Sequence, residues 1–288
     1  MQNAVVTGTS SGIGLATALR LARHGFRVFA GMRNLAKSEP LREAAAAEKL
    51  AIELLELDVT SADSIAAAFR TAKAHGPVDV LVNNAGIGGA TPLELTPEAE
   101  HRAIFETNYF GLVRCIQAVL PEMRERRSGA IVNVSSITGL YATPNQIPYS
   151  ASKWAVECLG EALAVEMRPF GVRVMNVEPG VILTKIFENS ADKTRYDKTS
   201  PYQPVMRRNG KLYGAGFKRG TPPEAVADTI LEAITTDDYR LRWPVGEDAV
   251  GFRNGRPLVS DEQVVALGDE LSDADYEQRF FDYFGIRL

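Results

Sequence analysis

Residues 7–19 read TGTSSGIGLATAL and directly follow an apolar run, residues 4–6, close to the start of the sequence. Within this stretch Gly8 permits a sharp turn, Gly12 lets a backbone approach a pyrophosphate, and Gly14 lets a helix and a strand pack closely. A strand, a glycine-rich turn and a helix in this order indicate a dinucleotide site, because the first amides and the dipole of the helix attract phosphate. The alternative is an ordinary glycine-rich turn before a helix.

Short runs rich in Val, Ile or Leu alternate with longer helical patterns as far as about residue 180. Parallel strands that are buried on both faces have this nearly continuous apolar character. The alternation therefore predicts an α/β fold with a doubly wound parallel sheet. Strands are predicted at residues 4–7, 27–31, 51–57, 78–82, 130–134, 172–177 and 239–245, and helices at residues 12–23, 61–74 and 223–234.

The later part of the chain has a different character. Residues 185–221 combine basic and aromatic side chains with scattered Pro and Gly and predict a partly helical insertion. Long insertions in compact domains are often functional, so we interpret this one as a substrate loop. Residues 246–288 form a C-terminal extension whose stretch from 260 to 284 is helical and acidic in pattern. We predict one domain, residues 1–288, with an elaborated C-terminal substrate-binding part.

The composition is that of an ordinary globular protein, with 288 residues, 45% hydrophobic and 24% charged. The 32 Lys and Arg against 36 Asp and Glu give a net charge of −4, so we expect no nucleic-acid partner. Two cysteines predict no disulfide framework, and three scattered histidines predict no metal site. Because there is no basic leader and no apolar run of membrane-spanning length, we expect a cytoplasmic protein without a membrane span.

The end of the second predicted strand bears on the choice of dinucleotide. NAD sites usually have an acidic residue about 20 positions beyond the glycine loop, but Arg33 stands in this region and no carboxylate occurs before Glu39. A guanidinium can hold a 2′-phosphate through two hydrogen bonds, so the sequence favours NADP(H). The alternative is that Arg33 is a solvated surface charge. Asp58, after the third strand, is predicted either to bind the adenine amino group or to cap a helix.

Tyr149 and Lys153 lie four residues apart at the start of a predicted helix and therefore share one of its faces. Free tyrosine has a pKa of about 10, and a nearby ammonium moves that pKa toward neutral pH. Ser136 follows a buried strand at the carboxyl edge of the sheet, where its hydroxyl could donate to a substrate carbonyl. The alternatives are a chance surface pair and a turn-capping serine. Asn108, in a long helical stretch, indicates a special function or a buried bend.

In combination, these features resemble the short-chain dehydrogenase/reductase family over about residues 3–245. The resemblance implies a Rossmann fold in which Tyr149 is the general acid/base and Ser136 positions the substrate carbonyl. It also implies that Lys153 binds the nicotinamide ribose and lowers the pKa of Tyr149, and that Asn108 supports a water-linked proton relay. The matching positions are the glycine loop, NNAG at residues 83–86, Asn108, Ser136, Tyr149, Lys153, and Pro-Gly at residues 179–180 followed by Thr184.

The resemblance extends to the contacts of the cofactor. Residues 84–86 would line the adenine side and support the sheet, and residues 179–184 would contact the nicotinamide, with Ile182 near its carboxamide. The pair Met32-Arg33 resembles the NADP-preferring members. The predicted cofactor-binding residues are Gly8, Ser10, Ser11, Gly12, Ile13, Gly14, Arg33, Asp58, Val59, Asn84, Ala85, Gly86, Tyr149, Lys153, Pro179, Gly180, Ile182 and Thr184.

Residues 240–246, RLRWPVG, loosely resemble the hydroxysteroid and retinol dehydrogenase branch, with an edge strand closed by proline as the alternative. We therefore expect an oxidoreductase that transfers a hydride between NADP(H) and a bulky apolar carbonyl or alcohol substrate. The other candidates are an NAD-dependent alcohol dehydrogenase and a non-catalytic nucleotide-binding sensor. Pairing through the helices with Asn108 and Tyr149, common in the family, implies a homodimer or homotetramer. The candidate pocket walls, which alternatively belong to the core, are Tyr141, Ile186, Phe187, Tyr196 and Tyr202.

Overall fold

The computed structural model describes residues 1–184 and 199–288. Within them seven strands form one sheet, paired in parallel throughout, in the order 3-2-1-4-5-6-7 by chain position. This confirms the predicted doubly wound parallel sheet. The strands are β1 (Asn3–Thr7), β2 (Arg27–Met32), β3 (Ile52–Glu56), β4 (Val78–Asn83), β5 (Gly129–Val134), β6 (Val172–Pro179) and β7 (Arg242–Val245).

The ends of β1 to β6 differ from the predicted ends by at most two residues, whereas β7 begins three residues later than predicted. Five of the first six strands are almost fully buried, which favours apolar residues, whereas the edge strand β3 is only partly buried. β7 is one of the two edge strands and contains Pro244, which is tolerated there because an edge strand has one unpaired side. β2 and β4 lie on opposite sides of β1, so the strand order changes direction at β1. A change of direction of this kind opens a crevice at the carboxyl ends of the strands.

The helices cover both faces of this sheet. They are α1 (Gly12–Arg23), α2 (Glu39–Glu48), α3 (Ala62–Lys73), α4 (Glu98–Phe105), α5 (Gly111–Arg126), α6 (Ile147–Met167), α7 (Gln203–Arg219), α8 (Pro223–Thr235), α9 (Glu247–Gly255), α10 (Asp261–Val265) and α11 (Asp273–Phe284). None of the helices among the described residues is both long and apolar enough to cross a membrane.

Successive residues of β1 point into different cores. Val6 packs with α1 and α8 on one face of the sheet, and Val5 packs with α3, α5 and α6 on the other. This two-sided burial follows from the period-two alternation of a strand, and it explains why β1 is apolar at every position from residue 4 to 6.

A third apolar core joins the C-terminal extension to the segment after β5. Tyr141 of that segment stacks on Phe252 of α9, with ring centroids 4.6 Å apart, and contacts Phe284 of α11. The described part of the insertion is largely helical, as α7. The acidic tail is not one helix, because Ser260 and Ser272 cap two separate ones, α10 and α11.

Candidate active site

A cleft of about 330 Å³ lies at the carboxyl ends of strands β1 to β6. The two predicted site residues that do not line it are Gly14 and Asn108. The predicted residues that do line it are Gly8, Ser10, Ser11, Gly12, Ile13, Arg33, Asp58, Val59, Asn84, Ala85, Gly86, Ser136, Tyr149, Lys153, Pro179, Gly180, Ile182 and Thr184.

The glycine loop has the geometry of a phosphate cradle. Gly8 and Gly12 have φ angles of +73° and +56°, which favour glycine. Ser11 is the N-cap residue of α1, but its side chain forms no capping bond, so amides of the first turn remain available to an anion. Thr184, another lining residue, lies so close to Gly12 that a Cβ on Gly12 would be 3.1 Å from its side chain. These features fit the diphosphate of a dinucleotide.

Gly14 does not line the cleft, and its lack of a side chain serves the packing of α1. A Cβ at this position would be 2.2 Å from the backbone oxygen of Gly8 and 2.5 Å from the side chain of Asn84. Asn84 in turn donates to the carbonyls of Thr7 and Gly8, at 2.9 and 3.1 Å, and so ties the glycine loop to β4. Gly14 therefore permits close packing of α1 on the loop and is not placed to touch a ligand.

The end of the cleft beyond β2 and β3 carries two exposed cations. Arg33 and Lys37 both line it, and Lys37 is an addition to the predicted set. Asp58 lines the same end, but its carboxylate accepts hydrogen bonds from the backbone and hydroxyl of Thr60, at 2.9 and 2.7 Å. The N-cap residue of α3 is Ser61, so the alternative prediction that Asp58 caps a helix is wrong.

At the opposite end, Ser136, Tyr149 and Lys153 line the cleft together. The Lys153 ammonium donates to the carbonyl of Val134 at 2.9 Å and lies 5.7 Å from the ring centroid of Tyr149. Ser136 accepts a hydrogen bond from the Thr138 amide at 3.2 Å, so it caps a short turn in addition to facing the cleft. The i and i+4 spacing on α6 thus brings a phenol and an amine to one place beside a hydroxyl.

Burial, more than mutual attraction, sets the protonation of this group. It raises the pKa of Tyr149 above its ordinary value, and a hydrogen bond with Ser136 acts in the opposite direction. Burial also lowers the pKa of Lys153 to about 8, against the attraction of the Glu157 carboxylate. The pKa of Tyr149 is therefore not lowered as expected, since the loss of hydration outweighs the hydrogen bond with Ser136.

Asn108 lies behind the cleft in a π-helical turn, Glu106–Phe110, between α4 and α5. Its side chain is buried, accepts from the Ile87 amide at 2.9 Å, and donates to the Ile87 carbonyl and the Ser152 hydroxyl at 3.0 and 3.1 Å. The structure thus gives Asn108 a role in bracing two cleft segments at a helical irregularity. The proton relay stays a prediction from the resemblance.

Several lining residues are absent from the predicted cofactor-binding set, although Met32 was noted in the sequence beside Arg33. Lys37 offered a signal, a second cation four positions after Arg33, whereas Val134 contributes a backbone carbonyl that no side-chain pattern reveals. The others lie at strand ends, in loops or, for Thr107, in the π-helical turn, and their contribution depends on the fold. The added residues are Met32, Lys37, Leu57, Thr60, Ile87, Thr107, Val134 and Ser135.

The predicted substrate walls are only partly tested. Ile186, Phe187 and Tyr196 lie outside the described residues. Tyr141 is buried in the third core and also lines a second, mostly apolar cavity of about 210 Å³ between the segment after β5, α7 and the C-terminal extension. Tyr202 donates to Glu94 and lines neither this cavity nor the cleft.

The chain is similar to known oxidoreductases. A family model described as short chain dehydrogenase matches residues 2–195. Retinol dehydrogenase 8 of Homo sapiens is 43% identical over 255 residues, which cover 83% of this chain and 79% of that protein. Estradiol 17-beta-dehydrogenase 1 of Rattus norvegicus is 37% identical over 250 residues, covering 83% of this chain and 72% of that protein. Both belong to the branch indicated by residues 240–246.

Solved structures agree with the sequence relatives. A short-chain dehydrogenase from Streptomyces avermitilis superposes with a TM-score of 0.80 at 35% identity, covering 93% of this chain and 98% of that one. An alcohol dehydrogenase from Thermococcus sibiricus complexed with 5-hydroxy-NADP has a TM-score of 0.70 at 26% identity, with 85% and 96% of the two chains covered. The similarity therefore extends over most of the chain.

Proposed function

The chain belongs to the short-chain dehydrogenase family, and from this premise we propose that it is an NADP(H)-dependent oxidoreductase acting on a carbonyl or alcohol group of a bulky apolar substrate. The observation that carries the proposal is the meeting of Ser136, Tyr149 and Lys153 in one cleft with the glycine loop. A phosphate cradle at the middle of a cleft and titratable groups at its end suit a dinucleotide-dependent reaction.

Each side chain at the reactive end of the cleft has a different role in the proposed reaction. A bound nicotinamide would supply or accept the hydride. The Ser136 hydroxyl is a donor that can hold the substrate oxygen, and the Tyr149 hydroxyl can deliver or withdraw the proton on that oxygen. Lys153, whose pKa of about 8 leaves it largely charged at neutral pH, favours the phenolate once the proton has left.

The preference for NADP(H) rests on charge. Arg33 and Lys37 lie at the adenosine end of the cleft, where a 2′-phosphate would add negative charge. Asp58 lies at the same end, but it follows the third strand and not the second, and its Oδ1 accepts two hydrogen bonds from Thr60. An NAD-dependent enzyme usually offers a free acidic residue to the ribose 2′-hydroxyl. With two cations in that region, NADPH is favoured over NADH.

A bulky apolar substrate is supported by the second cavity. Its lining is dominated by Leu212, Val264, Leu267 and Phe280, with the Tyr141 ring at its edge. Apolar cavities with a few polar groups are typical of sites for hydrophobic ligands. The named activities of the relatives on retinol and estradiol are in keeping with this size and polarity, but they are activities of those proteins.

Substitution of Tyr149 by Phe tests the proposal directly. Loss of the proton donor should reduce kcat at least about a hundredfold, while NADPH still binds, because general acid–base catalysis contributes this much. The assay follows NADPH consumption with a panel of apolar ketones and aldehydes. Tyr283→Phe, a half-buried tyrosine of α11 outside the cleft, is the control and should retain activity. Near-normal turnover by Tyr149→Phe would contradict the assignment, and cofactor binding without turnover by the wild type would favour a nucleotide sensor.

A further inference from the structure

The loop that follows β6 is held by a carboxylate from the C-terminal extension. Asp248, in the first turn of α9, is 2% exposed and accepts a hydrogen bond from the Val181 amide at 2.8 Å through Oδ2. Its other oxygen, Oδ1, accepts from the Ala249 amide at 3.0 Å. A Cβ on Gly180 would lie 1.9 Å from Oδ1, so this carboxylate and the loop are in direct contact.

The position of Asp248 on α9 suits a buried carboxylate. A negative charge in the first turn of a helix is stabilised by the helix dipole and by unpaired amides. The same helix reaches the other side of the loop, where Arg253 pairs with the fully buried Glu178 at 3.3 Å. Glu178 immediately precedes Pro179, so α9 contacts the chain both before and after the Pro179-Gly180 pair.

The loop held in this way forms the wall of the reactive end of the cleft. Gly180 and Ile182 line the cleft together with Tyr149. In the sheet, β6 lies next to β5, and the chain leaving β5 leads to Ser136. Arg33 follows β2, which lies on the other side of β1 and three strand positions away from β5. A dinucleotide with its diphosphate at the glycine loop and its adenosine over β2 therefore has its second base against the loop after β6.

We propose that Asp248 is a positioning residue that fixes the Val181 backbone, and with it the wall that receives the nicotinamide ring. This inference rests on the proposed function, since it needs a dinucleotide in the cleft. It assigns a part in cofactor binding to the C-terminal extension, which lies outside the glycine loop, the catalytic group and the matched segment of residues 2–195. Asp248 itself does not line the cleft and acts through the loop.

Asparagine is the informative replacement because it keeps the shape of the side chain. The two carboxylate oxygens accept from two different amides, those of Val181 and Ala249. An asparagine side chain offers one acceptor oxygen and one NH2 group, so one backbone N–H would face another donor. The loop must then shift or leave a buried amide unpaired.

The experiment compares two ligands on two variants. For Asp248→Asn we expect the dissociation constant of NADPH to rise about tenfold, because the shifted loop no longer presents its wall to the nicotinamide ring. Binding of 2′,5′-ADP, which has no nicotinamide, should stay within about twofold of the wild type, since its contacts lie at the other end of the cleft. Glu247→Gln is the matched control, because it removes the same charge one position earlier from an exposed side chain and should change neither constant.

A second variant approaches the contact from the loop. Gly180→Ala would place a methyl group against Asp248, and it should likewise weaken NADPH and spare 2′,5′-ADP. If Asp248→Asn binds NADPH like the wild type, or loses both ligands equally, the positioning role is wrong. A wild-type chain that binds neither NADPH nor NADH would instead contradict the proposed function. If the wild type prefers NADH, the pair of ligands is NADH and ADP, and the same outcomes apply.

Discussion

Arg33 and Lys37 show how cofactor choice can depend on side chains that do little in the free protein. Both are exposed at the rim of the cleft, so their charges remain hydrated and cost little to keep. A bound 2′-phosphate would change this, because it offers acceptors that a planar guanidinium can reach through two parallel hydrogen bonds. Lys37 would add a point charge without that geometry.

We predict that Arg33→Ala raises the KM for NADPH about tenfold or more and leaves the KM for NADH nearly unchanged. Lys37→Ala should act in the same direction, but less strongly because the ammonium lacks the guanidinium fork. Steady-state kinetics with both reduced cofactors at low and high salt measure the effect, which salt should weaken. Arg42→Ala removes an exposed cation of α2 outside the cleft and serves as the control. Equal changes for the two cofactors would remove the charge argument.

Single residues also show where sequence reasoning stops. Spacing alone correctly brings Tyr149 and Lys153 to the same cleft, because i and i+4 positions share a helix face. It cannot give the direction of the Tyr149 pKa, which depends on how much water the fold removes from the phenol. Nor does spacing identify Asp248, which is one of several acidic residues in a helical pattern. Its role depends on a hydrogen bond from the Val181 amide, 67 positions earlier in the sequence.

Helix α7 supports the loop after β6 from a second direction. Gly216 is buried against Val181, and a Cβ there would lie 2.4 Å from the Val181 Cβ. Gly210, on the same helix, is exposed and would meet no atom of the described residues within 4 Å. The two glycines lie in the same helix but have different surroundings. Substitutions at these positions therefore distinguish the effect of packing from the effect of helix propensity.

We predict opposite effects for alanine at these two positions. Gly216→Ala should lower the free energy of unfolding by about 1–3 kcal/mol, because the added methyl group forces α7 away from Val181. Gly210→Ala should raise it by about 0.5–1 kcal/mol through the better helix propensity of alanine. Chemical denaturation of both variants beside the wild type gives the two values. A similar shift for both would mean that the contact with Val181 is not tight.

At the level of elements, the sequence is most informative where burial is two-sided. β1 to β6 are predicted to within two residues at each end, and all of them except the edge strand β3 are covered on both faces, which favours apolar residues. The C-terminal extension is less predictable, because α10 and α11 begin after capping serines but α9 begins after Gly246 without a side-chain cap. All three helices contribute to the core that contains Tyr141. The π-helical turn around Asn108 leaves no distinct pattern in the sequence.

At the scale of the whole molecule, large apolar side chains on α6 remain outside the three apolar cores of the described residues. Trp154 and Val165 lie eleven residues apart on α6, hence on one face of it, and are 50% and 72% exposed. Phe110, just before α5, is 47% exposed. Large apolar side chains on neighbouring helices are typical of an interface between subunits. They support the proposal of a homodimer or homotetramer formed through the helices that follow Asn108 and contain Tyr149.

We predict that the double substitution Trp154→Glu and Val165→Glu converts the oligomer to a monomer. A buried aromatic at the centre of an interface contributes about 2 kcal/mol or more, and facing carboxylates in symmetric copies would add repulsion. Size-exclusion chromatography with light scattering measures the mass, and Leu258→Glu, an 84% exposed leucine of the C-terminal extension, is the control. Trp154 and Val165 lie on the same helix, α6, as Tyr149 and Lys153 of the cleft. Separation of the subunits should therefore lower the activity as well as the measured mass. A wild-type monomer, or a double variant that keeps the wild-type mass, would show that this surface does not join subunits.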